Sequence, residues 1–134
     1  MRAVAIIGIG QTPINEHWDK SIKVIAGEAA FAALNDAGRN QVDGLFVGNM
    51  MSGVISHQEN LGALIADWIG MPGIEAMKIE AACGSGGAAV RAGLMAIASG
   101  EMDSALVVGV EKMTDAIPSE TTAALATAAD QDYE

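Results

Sequence analysis

Ile79-Glu80-Ala81-Ala82-Cys83-Gly84-Ser85-Gly86-Gly87-Ala88 lies between two kinds of segment. Before it, Ile74–Ile79 is a short apolar run, closed upstream by Gly70, Pro72 and Gly73, and it reads as a strand. After it, Gly84–Ser99 is rich in Ala, Leu, Met and Ile, and it reads as a helix despite Gly86, Gly87 and Gly93. A strand that gives way to a helix within a few small residues is the first half of a βαβ unit. Downstream, Ser104–Val110 (SALVVGV) completes that unit as a second Val-rich strand.

The same alternation extends upstream. Gln58–Ile69 reads as a helix with Leu61, Leu64, Ile65 and Trp68 as its inward stripe, and Asn49–Ser56 reads as a Gly- and Met-rich loop. Asp43–Gly48 reads as a strand. A helix capped at Asp19 or Ser21 reaches about Ala37, with Ile22, Ile25, Ala26, Ala29, Ala33 and Leu34 at i, i+3, i+4 spacing and Gly38 as its stop. Ala3–Ile9, Val/Ile-rich and followed by Gly10, reads as an opening strand buried on both faces. The order βαβαβαβ predicts an α/β fold, a mainly parallel sheet with helices on both faces. Residues 1–113 form this domain. Residues 114–134 are an acidic loop or helical segment, expected to lead to a missing remainder.

Composition excludes several function classes. The chain has 134 residues, 51% hydrophobic, with a net charge of −10. That is enough apolar material for one packed domain. No Lys/Arg cluster offers the positive stripe that nucleic acid requires, and an anionic membrane is disfavoured for the same reason. A single cysteine rules out an internal disulfide, and two distant histidines, His17 and His57, give no metal-ligand spacing. No metal site is expected. The opening segment lacks a cleavage pattern, and no apolar run reaches spanning length, so a cytoplasmic location is expected.

Cys83 is the first candidate for chemistry. It sits where a strand ends and a helix begins, and a helix N-terminus presents free amides and a positive dipole end that favour a thiolate. The competing reading is a small buried hydrophobe, common for a lone cysteine among alanines and glycines. Gly86, Gly87 and Gly93 predict a helix packed very closely against its neighbours. Gly84 and Ser85 are the residues expected to support the turn and an oxyanion. Glu111 and Met113, just past the strand Ser104–Val110, are candidates for a substrate pocket, with Glu111 able to accept from loop amides. Gly8-Ile9-Gly10 hints at a dinucleotide loop, but a third glycine is missing and Pro13 falls where the helix should open, so a plain tight turn is favoured.

With Ile7–Thr12, Trp18–Ser21, Glu80–Ala88 and Val107-Val108-Gly109-Val110-Glu111-Lys112-Met113-Thr114 read in this order, the sequence resembles the thiolases, specifically the archaeal and sterol-carrier-protein types. The resemblance implies that Cys83 accepts an acyl group from acyl-CoA as a thioester, which a deprotonated acetyl-CoA then attacks in a Claisen condensation, or the reverse thiolysis. It implies an oxyanion donor at the Cys83 amide, a coenzyme A thioester as substrate with no separate cofactor, and acetoacetyl-CoA formation for the mevalonate route. It also implies a homo-oligomer and, as partners, a hydroxymethylglutaryl-CoA synthase with a small bridging protein. Other condensing enzymes of the superfamily, ketoacyl or hydroxymethylglutaryl-CoA synthases, are the alternative, as is a non-catalytic fragment serving as a binding module. Neither the Gly-His-Pro nor the Cys-x-Gly motif of the family's second half occurs here. The sequence is thus expected to be an opening portion, unable by itself to complete the reaction, with the family's coenzyme A loops largely beyond residue 134.

Overall fold

The computed structural model describes residues 2–133. Three strands, β1 (Gly44–Gly48), β2 (Glu75–Ile79) and β3 (Ala105–Gly109), form a parallel sheet in the order β2-β1-β3. The helices are α1 (Ile22–Asp36), α2 (Ser52–Ile55), α3 (Leu61–Trp68), α4 (Ser85–Ser99) and α5 (Pro118–Ala126). Leu45 and Val47 of β1 point to one face with Leu106, Val108 and Val110, where α1 and α3 cover them; Phe46 points to the other, beneath α4, with Ala105 and Val107 beside it. This is the period-2 alternation of a central strand buried on both faces. Leu45, Val47, Leu61 and Ile65 are fully buried, and each such side chain contributes roughly 1.5–3 kcal/mol.

The helix ends follow from local chemistry. Ser21 is the N-cap of α1. Gly38 takes φ +62°, so that its amide and that of Arg39 bond back to Asn35 and Leu34 as the helix stops. Trp68, expected in the inward stripe of α3, is instead 45% exposed. Its ring lies over Gly27, where a Cβ would come within 2.6 Å of Cδ1, and carries the Lys23 ammonium 4.6 Å from its centroid.

Ala3–Ile9 does not form the predicted strand. Ile6, Ile7 and Ile9 are 83%, 57% and 75% exposed, the opposite of a strand buried on both faces. A strand requires a ladder partner, and the segment is held by helices instead. The Arg2 amide donates to Ala98 O, Arg2 pairs with Asp103, and the Ile9 amide donates to Asp36 Oδ2 at 2.9 Å. Gly8 and Gly10 lie flush on α1, where a Cβ would fall 2.5 Å from Ala33 O and 2.3 Å from Ala29 O. These glycines therefore serve close approach to a helix. They neither make a tight turn nor open a helix as a dinucleotide loop does, since α1 begins only at Ile22.

The sheet is pinned at its opposite end by Asp43. Its Oδ2 accepts from the amides of Asp103 and Ser104 and from Ser104 Oγ. These bonds, the Ser104 amide foremost, hold the carboxyl below its ordinary value of 3.8. A depressed carboxyl contributes stability above its unfolded pKa and loses it as pH falls through the folded value. Thermal unfolding followed from pH 7 down to pH 2 should therefore show an acid-side decline. Asp43→Asn should lower the midpoint at neutral pH and flatten that decline; an unchanged profile would remove Asp43 from this role.

Candidate active site

The strand register brings Gly48, Ile79 and Gly109 level at one end of the sheet, so that three loops meet there. Residues from all three line a cavity of about 370 Å³: Met50 and Met51 after β1, Ala82 and Cys83 after β2, Glu111 and Met113 after β3. Carboxyl ends of parallel strands are where α/β sheets bind ligands. Leu125 of α5 closes one side, so the acidic tail holds a helix that packs over the site.

Asn49 organises this end. Its side chain is fully buried; Nδ2 donates to Val110 O at 2.8 Å, and Oδ1 accepts from the Ser52 amide at 3.1 Å. Its own amide donates to Ile79 O. One residue thereby ties together the ends of all three strands. Sequence reasoning placed Asn49 in a loop and gave it no role; the available signal was a polar residue directly after a fully apolar strand.

Cys83 is exposed in this chain and lines this cavity. It directly precedes Gly84, the N-cap of α4. The turn around it is tight. Ala82 adopts φ +48°, a left-handed conformation uncommon for a residue with a Cβ. Ser85 Oγ accepts from the Ala81 amide at 2.9 Å and donates to Ala82 O at 2.7 Å, while the Ala82 amide donates to Glu80 Oε1. The amides of Gly84 and Ser85 bond to Ala81 O and Ala82 O. Ser85 is therefore a clamp on the turn, and Gly84, whose amide is already engaged, shapes the turn without lining the cavity.

One of the three glycines expected to pack closely, Gly87, does not. At Gly93 a Cβ would meet Val107 Cγ2 at 2.9 Å, and the Gly86 Cα lies against the end of β1, but around Gly87 the space is open. The close approach belongs to Gly48, where a Cβ would fall 2.6 Å from Ser85 O. The first turn of α4 crosses directly over the end of β1.

Glu111 and Met113 both line the cavity. The Glu111 carboxylate accepts from the Met50 amide at 2.5 Å and the Met51 amide at 3.2 Å. Its oxygens hold a loop, which is the role expected for it. Neither histidine lines the cavity. His17 Nε2 pairs with Pro13 O, and His57 lies exposed at φ +50°. Among the described residues no cluster of His, Cys, Asp or Glu is arranged to hold a metal ion, and no helix is long and apolar enough to cross a membrane.

Residues 4–133 match the thiolase N-terminal domain. The chain is 46% identical along its whole length to an acetyl-CoA acetyltransferase of Methanothermobacter thermautotrophicus and 43% identical to that of Methanocaldococcus jannaschii. Among solved structures, an acetyl-CoA acetyltransferase from Syntrophomonas wolfei superposes with a TM-score of 0.74 over 81% of this chain and 29% of that one, at 23% identity. The fold class is that of a thiolase-like α/β domain. The chain belongs to the thiolase family and corresponds to its N-terminal domain. It spans about a third of the length of the curated relatives it matches, 35% and 34%.

Proposed function

We propose that this chain carries the acyl-accepting site of a thiolase-type acyltransferase and that Cys83 is the acylated residue. The observation that carries the reading is the exposed Cys83 sulfur, set on a strained turn at the mouth of the cavity where the strands end. The Cys83 thiolate attacks the thioester carbonyl of acetyl-CoA. The carbonyl electrons move onto oxygen, and their return expels coenzyme A thiolate and leaves acetyl-Cys83. The Cys83 amide, just ahead of α4, is the donor for the transient oxyanion.

The second half-reaction requires a base to take a proton from the methyl carbon of another acetyl-CoA, whose carbanion then attacks acetyl-Cys83 to give acetoacetyl-CoA. No histidine lines the cavity, and the Glu111 oxygens are occupied by amides. This chain thus performs acyl transfer to sulfur, and condensation draws on residues outside it. The reading places the assembled enzyme in the cytoplasm, as an oligomer supplying acetoacetyl-CoA to a hydroxymethylglutaryl-CoA synthase.

Incubation with acetyl-CoA should add about 42 Da, one acetyl group in place of a proton, and peptide mapping should place it on Cys83. Cys83→Ala should gain nothing. Acetoacetyl-CoA should not accumulate with this chain alone. A Cys83 that reacts with iodoacetamide but never with acetyl-CoA would overturn the reading.

A further inference from the structure

We infer that Glu80 is a positioning residue for Cys83: its carboxylate holds Ala82 in the left-handed conformation that turns the sulfur into the cavity. The inference rests on the acyl-transfer reading of Cys83. Glu80 does not line the cavity, so it acts through the backbone alone. Ala82, immediately before the cysteine, has φ +48°, where its Cβ crowds the neighbouring carbonyl. Such a conformation persists only where its surroundings over-determine it. Two side chains do so here. Ser85 Oγ bonds both the Ala81 amide and Ala82 O from the helix side, and Glu80 accepts the Ala82 amide from the strand side. Ser85 is buried and built into the first turn of α4, whereas Glu80 is exposed. Removing Glu80 therefore leaves the core intact while releasing one of the two grips on the strained residue.

This assignment makes a specific demand. If Glu80 serves to hold Ala82 at positive φ, a residue that adopts positive φ freely at position 82 should make Glu80 dispensable. Glycine is that residue. Four variants of the chain, Glu80→Ala, Glu80→Gln, Ala82→Gly and the double Glu80→Ala/Ala82→Gly, are compared for the rate of Cys83 acetylation by acetyl-CoA and of alkylation by iodoacetamide, with thermal unfolding midpoints recorded alongside. Glu80→Ala should slow acetylation about tenfold, the rate equivalent of about 1.4 kcal/mol of uncompensated strain, with little change in midpoint. Glu80→Gln, which keeps a side-chain oxygen as acceptor, should recover most of the rate, and the double variant should recover it through the backbone. A Glu80→Ala rate equal to that of the parent, or a slow one that Ala82→Gly fails to restore, overturns the inference. The iodoacetamide arm separates the two readings. Should the parent resist acetyl-CoA altogether, the same pattern of loss and rescue in alkylation still tests the hold of Glu80 on the turn.

Discussion

Gly48→Ala should destabilise the end of the sheet that carries the site and slow acetylation of Cys83. A Cβ at position 48 falls 2.6 Å from Ser85 O, 2.7 Å from Ser85 C and 2.8 Å from Gly86 Cα. These are backbone atoms of the first turn of α4, and no rotamer change relieves the clash. Either β1 or the start of the helix must move. Overpacking a tight contact costs about 1–3 kcal/mol, and with backbone on both sides the upper end applies, a fall of about 10 °C in the unfolding midpoint. Because the shifted turn is the one that carries Cys83 and the Ser85 clamp, acetylation of Cys83 should fall by more than tenfold. Gly87→Ala is the matched control. No atom lies within 4 Å of its Cβ position, and replacing glycine in a helix gains up to about 1 kcal/mol. Scanning calorimetry on the two variants should show shifts of opposite sign. A Gly48→Ala protein with the parent's midpoint and acetylation rate would show that β1 and α4 are not in the contact described.

Asn49→Ala should be comparably severe for a different reason. The substitution leaves Val110 O and the Ser52 amide, both tied to the Asn49 side chain, in a place that water does not reach. Each buried group left without a partner costs about 1–3 kcal/mol, so a total of about 2–6 kcal/mol is expected, with loosening of the loops after β1 and β3. Asn49→Asp separates hydrogen bonding from volume. It is nearly isosteric and can still accept from Ser52, but it sets a carboxylate oxygen against Val110 O and buries a charge. It should destabilise at least as much as alanine. Urea unfolding of the three proteins gives the comparison; an aspartate variant as stable as the parent would refute the pairing.

These two positions show why sequence reading found some of the site and missed the rest. Cys83, Glu111 and Met113 stand out in the sequence because each follows a strand-like run, and strand ends in a parallel sheet face ligands. Their convergence on one cavity is what the structure adds. Asn49 and Gly48 carry no such local mark. An asparagine in a loop and a glycine at a strand end are ordinary until the register sets Val110 O beside one and the Ser85 carbonyl against the other. Gly87 misleads in the opposite direction, since its presence in a helix implies a close neighbour that this chain does not provide. The same holds for Ala3–Ile9, where a Val/Ile run is compatible with a strand but cannot show whether a ladder partner exists.

What the sequence determined alone is what depends on near neighbours along the chain. That covers the helices α1, α3 and α4, the strands β1, β2 and β3, the glycine stop at Gly38, and a cysteine placed at a strand-to-helix turn. Periodicity, capping and turn chemistry act over a few residues and can be read from them. The tertiary structure decided the order β2-β1-β3, the fate of the opening segment, the buried Asn49 and the left-handed Ala82. Each depends on which backbone atoms lie across space from a residue, and that is fixed only when distant segments pack.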